Sequence, residues 1–342
     1  MKQRLPPKRG AQLPPPKFPA RPERVTAREA RCLGPASTAQ YRLALQEYDE
    51  SACRHQAPPL RNDEHLESNM NLFLEALLEG DRPSGDGSKF VAAVRHLFPK
   101  LGGRTKDILP RVHRSLVGFA KAKPEHSRLP LPWESLCGLV MVLRFQNKLD
   151  TALLLLVMFV CYLRPSEGSG LLRRDLNYPA GQVGGLRHYI LTLGARETGK
   201  ATKTQVFDDS VPLDHPAWLG PLVAQRCHGR AVLHSHFPVT HQQLVNDFRA
   251  ASELLHLPPT NLYQCRHGGA SDDALARRRS QLEVMGRGRW TTAASVRRYS
   301  KASQVQKYLA LLSPQVRRYC QHAELHLHDL LLGTSPPLRP PL

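Results

Sequence analysis

The chain has 342 residues, of which 41% are hydrophobic, enough for two domains of ordinary size with a core in each. Lysine plus arginine outnumber aspartate plus glutamate 48 to 29, a formal net charge of +19. That surplus points to a polyanionic partner, nucleic acid ahead of an anionic membrane surface, with a solvated basic face as the plain alternative. The seven cysteines form no C-x-x-C pair, and Thr151–Leu163, the most apolar run, is too short for a membrane span. The cysteines therefore favour reduced thiols in an intracellular setting over a disulfide framework, and the apolar run reads as a helix buried in a domain core.

In chain order, residues 1–39 carry PP and PPP runs among lysines and arginines and read as a disordered basic arm without a secretory signal. From 40 to 123 apolar residues recur at three- and four-residue steps. They predict short helices over Tyr41–Glu50, over Glu64–Leu78, after Ser88 as N-cap, and over Arg111–Lys121. The second helix places Leu66, Met70, Phe73, Leu74 and Leu77 on one face. The result is a small all-helical domain carrying Lys100, Arg104, Lys106, Arg111 and Arg114 as candidate DNA contacts. The proline-rich segment 124–132 reads as a linker.

A second domain is expected over 133–331, with residues 332–342 as a disordered tail. It opens with helices at Trp133–Arg144 and Thr151–Leu163, the latter buried. Strand-like runs at Leu186–Leu193 and Thr204–Leu213 flank a polar turn and predict a β-hairpin. Helices follow at Pro216–Gln225, Thr240–Leu255, Ala270–Met285, Thr292–Tyr299 and Gln304–Tyr319. The fold class is thus mainly α with a small antiparallel β-sheet (α+β).

Four stretches carry the chemistry. In YLRPSEG, Arg164 follows the most apolar helix, a rigid mount for a guanidinium suited to bidentate phosphate recognition, with Glu167 close enough to orient it. Lys200 and Lys203 lie in the hairpin turn, where an ammonium can protonate a leaving oxygen. In LYQCRHGGAS, Arg266 and His267 precede two glycines, which at a helix start would let backbone N–H groups approach an anion. Finally, Trp290 precedes Tyr299 by nine residues amid Arg287, Arg289, Arg297 and Arg298, which are further candidate DNA contacts. Cations favour the phenolate and activate a phosphate, so Tyr299 is a candidate covalent nucleophile on phosphorus.

This ordered set resembles the catalytic domain of tyrosine recombinases, the phage-integrase family, over about residues 130–310. YLRPSEG is similar to the family's first arginine box. Arg266–His267 fit the second half of its H-x-x-R-H box, and the Trp290–Tyr299 spacing fits its last motif. The overall flavour is nearer to eukaryotic mobile-element integrases. The resemblance implies a core-binding domain plus a catalytic domain forming a clamp on double-stranded DNA, with self-association from dimer to tetramer on DNA and no membrane partner. It implies that Arg164 and Arg266 hold the scissile phosphate, Lys203 protonates the 5′ oxygen with Lys200 as the other choice, Trp290 donates to the phosphate, and Tyr299 attacks. It also implies no metal, ATP or other cofactor. His267 would brace the site. Tyr263 stands where the family has histidine; a phenol can hydrogen-bond a phosphate oxygen but shares a proton poorly near pH 7. The expected function is a site-specific recombinase or transposon integrase working through a 3′-phosphotyrosine. A decayed DNA-binding descendant and a type IB topoisomerase-like enzyme are the alternatives. Localisation follows the DNA role: nuclear in a eukaryote, otherwise cytoplasmic.

Three further features carry less. Arg277, Arg278 and Arg279, placed on the helix after the third motif, are expected to touch the DNA backbone. Cys265 beside Arg266 invites a depressed thiol pKa. His322, Glu324, His326 and His328 have metal-like spacing, with no second cluster to complete a site.

Overall fold

The computed structural model describes residues 32–55, 63–97, 109–124, 129–181, 187–196, 207–293, 296–297 and 302–341. The chain divides into two units, Met1–Ser127 and Arg128–Leu342.

The N-terminal unit holds four helices: α1 (Pro35–Arg54), α2 (Asp63–Glu79), α3 (Ser84–Leu97) and α4 (Pro110–Ala122). The predicted apolar face of α2 is buried at every position and meets Tyr48 of α1, Phe90 of α3, and Val112 and Phe119 of α4. The Tyr48, Phe73 and Phe90 rings pack with centroids 4.7–5.6 Å apart. Helix α1 starts at Pro35, inside the stretch expected to be disordered; proline suits the first helical turn, where no N–H partner is needed. Helix α3 starts at Ser84, four residues before the expected cap, and Ser88 lies within it. Its first turn carries Asp86, which complements the helix dipole and pairs with Arg82 at 2.7 Å and Lys89 at 3.0 Å. No side chain of its own caps α4. Instead the Glu67 carboxylate of α2 accepts from the Arg111 N–H at 2.6 Å and the Val112 N–H at 3.3 Å.

The C-terminal unit is mainly helical with one small sheet, the α+β class expected. It contains α5 (Trp133–Phe145), α6 (Leu149–Val160), α7 (Pro165–Ser169), a 3-10 turn at Arg173–Asp175, and strands β1 (Leu176–Asn177), β2 (Tyr189–Leu193) and β3 (Asp209–Leu213). Then follow α8 (Leu219–Arg226), α9 (His241–Leu254), α10 (Tyr263–Leu275), α11 (Gln281–Arg287), α12 (Ala302–Ala310), α13 (Pro314–Leu325) and α14 (Leu327–Leu332). The strands run antiparallel in the order β1-β2-β3, with Leu191 opposite both Leu176 and Val211. Every residue from Thr151 to Val160 of α6 is buried, because α5 and α10 cover its faces. Among the described residues no helix is long and apolar enough to cross a membrane.

Several boundaries differ from expectation. Residues 129–132 are packed into this unit: the Leu131 N–H donates to the Gln264 carbonyl at 3.3 Å, and Leu131 is fully buried. The predicted helix Ala270–Met285 is two, because Ser280 and Glu283 form a capping box that starts α11 afresh. Ser313 and Pro314 likewise split the predicted helix Gln304–Tyr319 into α12 and α13. The expected disordered tail is partly ordered: the Leu338 N–H points at the Met141 sulfur at 3.2 Å, and its carbonyl accepts from the Tyr319 hydroxyl at 3.1 Å. Half of the predicted helix Thr292–Tyr299 lies outside the described residues.

Candidate active site

Helix α6 ends at Val160, and Tyr162 takes a left-handed backbone (φ 47°) that reverses the chain. Its hydroxyl donates to Asp273 of α10, which braces the unusual conformation. The turn delivers Arg164 to the N-cap of α7, with Pro165 at the first helical position. Glu167, three residues on, folds back: it accepts from the Arg164 N–H at 2.7 Å and from the Arg164 guanidinium. Both side chains are about seven-eighths buried, at 13% and 12% exposure.

Helix α10 brings the second arginine. Its first residue is Tyr263, so Arg266 and His267 fall one turn later on the same face. Arg266 is 1% exposed. Its guanidinium donates to two main-chain carbonyls, those of Tyr162 and Gly288, and its carbon lies 5.0 Å from the centre of the Trp290 ring. Carbonyls orient a guanidinium without neutralising it, and the buried Arg266 Nε–H makes no hydrogen bond. Tyr263 packs edge-on against His267, ring centres 5.1 Å apart.

The two glycines after His267 sit inside α10. A Cβ on Gly268 would fall 2.1 Å from the Leu131 carbonyl oxygen, and one on Gly269 would fall 2.0 Å from that of Phe159. They are glycines because α10 presses against α6 and the segment before α5, which replaces the expected anion-binding role at a helix start. Gly288 has a similar reason, since a Cβ there would overlap the Trp290 ring at 2.1 Å.

The charges do not cancel. Burial first, and then repulsion by Arg289 and Arg164, lowers the Arg266 pKa. Burial also opposes ionisation of Glu167, but Arg289 and Arg164 outweigh it and hold the carboxyl below its usual range. Burial raises Asp209 in spite of Arg289, whose Nε is 3.7 Å away. Three guanidiniums, Arg164, Arg266 and Arg289, thus face two carboxylates, Glu167 and Asp209, which leaves a net positive site suited to an anion.

Of the residues expected at the site, Arg164, Glu167, Arg266 and Trp290 are brought together, with Tyr263 and His267 on the adjoining helix face. Lys200, Lys203, Arg298 and Tyr299 lie outside the described residues, as do Lys100, Arg104 and Lys106. Arg111, Arg114, Arg277 and Arg297 are exposed.

Three arginines expected on DNA, Arg279, Arg287 and Arg289, face inward instead, and a fourth, Arg278, stays exposed but is paired with acids. Arg287 donates to the Val160 and Pro212 carbonyls, both at 2.8 Å, and to Asp214 at 3.1 Å. Arg289 donates to the Tyr162 carbonyl at 3.1 Å and to Glu167 at 2.8 Å. Arg278 pairs with Asp272 and Asp273, and Arg279 with Asp273 and Asp214, both of the latter at 2.7 Å. These two lie in the turn after α10, where Arg277 adopts φ 52°, and not on a helix. Cys265 is fully buried, and burial pushes its thiol up to about 12, the opposite of the depressed value considered. The C-terminal histidines disperse: His322 and His326 rings lie 4.5 Å apart, while His328 stacks on Trp218. Among the described residues no group of three His, Cys, Asp or Glu side chains is placed to hold a metal ion.

Sequence reasoning missed the Tyr162 carbonyl, shared by Arg266 and Arg289, and the inward role of Arg289 itself. The available signal was the G-R-G-R-W run, in which the second glycine, Gly288, leaves room for the Trp290 ring.

No protein-family model matches the chain, and no curated protein matches its sequence. Several solved structures share its fold, three of which follow. A lambda integrase dimer bound to a COC′ core site is 12% identical with a TM-score of 0.54, covering 79% of this chain and 73% of that one. The Tn1549 transposon integrase in complex with transposon right end DNA is 11% identical with a TM-score of 0.53, covering 82% and 96%. The XerH site-specific recombinase in a post-cleavage complex with a palindromic difH substrate is 13% identical with a TM-score of 0.52, covering 82% and 81%. At these identities the likeness is one of fold.

Proposed function

We propose that this chain is a DNA strand-exchange enzyme, a site-specific recombinase or transposon integrase that works through a 3′-phosphotyrosine. The observation that carries this reading is the convergence of Arg164, Arg266 and Trp290, from three separate stretches of sequence, on one net positive site. The shared fold of DNA-bound recombinases and integrases supports it.

In this reading Arg164 and Arg266 hold the two non-bridging oxygens of the scissile phosphate, and Trp290 packs the site and donates its indole N–H. Guanidiniums fixed before substrate arrives stabilise the charge that builds up on phosphorus as attack proceeds, each worth about 10²–10³ in rate. The Tyr299 oxygen forms a bond to phosphorus and gives its proton to water, and the bond from phosphorus to the 5′ oxygen breaks. Lys203 gives that oxygen its proton, and rejoining reverses the step with a new 5′ hydroxyl. The bond energy stays in the protein–DNA link, so no ATP is consumed. Tyr263, one turn before Arg266 on α10, supplies a hydroxyl to a phosphate oxygen in place of the family's histidine. The helical N-terminal unit serves as the core-binding domain, with exposed Arg111 and Arg114 against the DNA backbone.

The test uses nicked duplexes drawn from the sequence flanking the gene, which trap the covalent intermediate because the cleaved strand diffuses away. A protein–DNA adduct that survives a denaturing gel and vanishes in Tyr299→Phe is the expected result. Salt-sensitive DNA binding without an adduct on a panel of such substrates would overturn the catalytic reading and leave a DNA-binding protein.

A further inference from the structure

Arg289 belongs to none of the roles above, yet no side chain in the site is more heavily used. It is 4% exposed at the side chain. One Nη donates to Glu167 at 2.8 Å and to the Tyr162 carbonyl at 3.1 Å, while the other donates to the Arg287 carbonyl at 3.2 Å. Glu167 is the carboxylate that holds Arg164, and the Tyr162 carbonyl is an oxygen that holds Arg266. The guanidinium therefore touches the anchor of each arginine in turn. Its own backbone is left-handed, with φ 53°, a conformation that costs a non-glycine residue of order 1 kcal/mol and persists only where the surroundings impose it.

We infer that Arg289 is a positioning residue that fixes Arg164 and Arg266 in one rigid frame, so that both guanidiniums meet the same phosphate without rearrangement. This rests on reading the site as a phosphodiester clamp. A cation there is expensive, since it adds positive charge beside two guanidiniums and is itself buried. A structural cross-link alone would be met as well by an uncharged side chain. What the charge adds is a fixed Glu167 carboxylate: with Arg289 paired to one oxygen, the other remains directed at Arg164. Lysine at this position has a single nitrogen and cannot span Glu167, the Tyr162 carbonyl and the Arg287 carbonyl with the same planar fork.

The test compares wild type with Arg289→Lys on two versions of the nicked substrate. In one, the scissile phosphate is unmodified; in the other, one charged oxygen is replaced by a methyl group, which removes the negative charge a guanidinium would stabilise. The expected result on the phosphate is adduct formation slower by about 10- to 100-fold at saturating protein, with DNA affinity unchanged within about 2-fold. On the uncharged methylphosphonate the gap between the two proteins should shrink to about 3-fold or less, because misplaced arginines matter little where there is no charge to hold. Equal losses on both substrates, or none on either, would overturn the inference, since plain loosening of the fold does not distinguish them. Thermal melts identify a variant that fails to fold; Arg289→Gln then carries the same comparison, because its amide still donates to a carbonyl. A wild-type chain that forms no adduct overturns the clamp reading itself, and the inference with it.

Discussion

Helix α4 of the N-terminal unit and the segment from Arg277 to Trp290 of the C-terminal unit are both rich in arginine, and they use it in opposite ways. On α4 the apolar residues Val112 and Phe119 face the core, while Arg111 and Arg114 stay in water. In the later segment Arg278, Arg279, Arg287 and Arg289 all turn toward Asp272, Asp273, Asp214, Glu167 or main-chain carbonyls, and Arg277 enters none of those bonds. Charge counted along a sequence gives the same signal in both places. What separates them is compensation, which comes partly from the neighbouring Asp272 and Asp273 and partly from distant partners, Asp214, Glu167 and the carbonyls of Val160, Tyr162 and Pro212. The anion-attracting part of the later segment is therefore not its most arginine-dense run. It is the place where arginines outnumber the carboxylates that could answer them.

The inward set is the place to expect the largest effect. Arg287→Met would remove the guanidinium that joins the Val160 carbonyl at the end of α6, the Pro212 carbonyl of β3 and Asp214. Methionine fills similar volume but donates nothing, so two carbonyls and a carboxylate lose a buried partner. Breaking a buried pair from one side costs about 3–5 kcal/mol. The expected outcome is an unfolding free energy lower by that amount, read from the urea midpoint and slope. A change under about 1 kcal/mol, the range of exposed pairs, would mean that Arg287 behaves like the arginines of α4 and would erase the contrast.

How far this contrast can be read from sequence depends on the range of the forces involved. The buried run of α6 and the face Leu66–Met70–Phe73–Leu74–Leu77 of α2 were legible because burial leaves a local period or an unbroken apolar stretch. Arg164, Arg266 and Trp290 were legible through motif spacing, since the fold brings together residues whose order along the chain is distinctive. Strand β1 was not, because two residues carry no alternation. Nor was the break between α10 and α11. It depends on Arg278 and Arg279 folding back onto Asp272 and Asp273, and on the capping box at Ser280. The glycines after His267 pointed to close approach, and only the packing of α10 on α6 shows that the neighbour is a protein backbone.

A smaller effect should appear at Glu167, where the inward set meets the site. Its folded pKa lies below the unfolded value: burial opposes this, and Arg289 and Arg164 overcome it. At a given pH the unfolded chain then binds more protons at this group, so its contribution to stability rises with pH. The contribution is present above the unfolded pKa of about 4.3 and is lost as pH falls through the folded pKa. Glu167→Gln should cost about 1–3 kcal/mol at neutral pH, the range for hydrogen bonds to charged groups. It should also flatten the fall in melting temperature between about pH 5 and 3, the interval around the unfolded carboxylate pKa. An unchanged acid limb would mean that other carboxyls with lowered pKa values, Asp214 and Asp273 among them, carry the acid sensitivity.

The outward set gives the smallest expected change and the sharpest distinction. Arg114 sits on the exposed face of α4, and alanine is the best helix former, so Arg114→Ala should leave stability within about 0.5 kcal/mol. If α4 lies against a DNA backbone, affinity should fall several-fold at low salt and equally for all duplex sequences, because a phosphate contact carries no base information. The diagnostic is the dependence on salt: each phosphate contact releases condensed counterions, so the slope of log K against log salt should become shallower by about 1. Arg287→Met, to the extent that it folds, should leave that slope alone, since its charge is answered inside the protein. A slope unmoved by Arg114→Ala would remove α4 from the DNA interface. Equal shifts from the two variants would mean that exposure does not sort these arginines, because an internally paired guanidinium has no counterion to exchange.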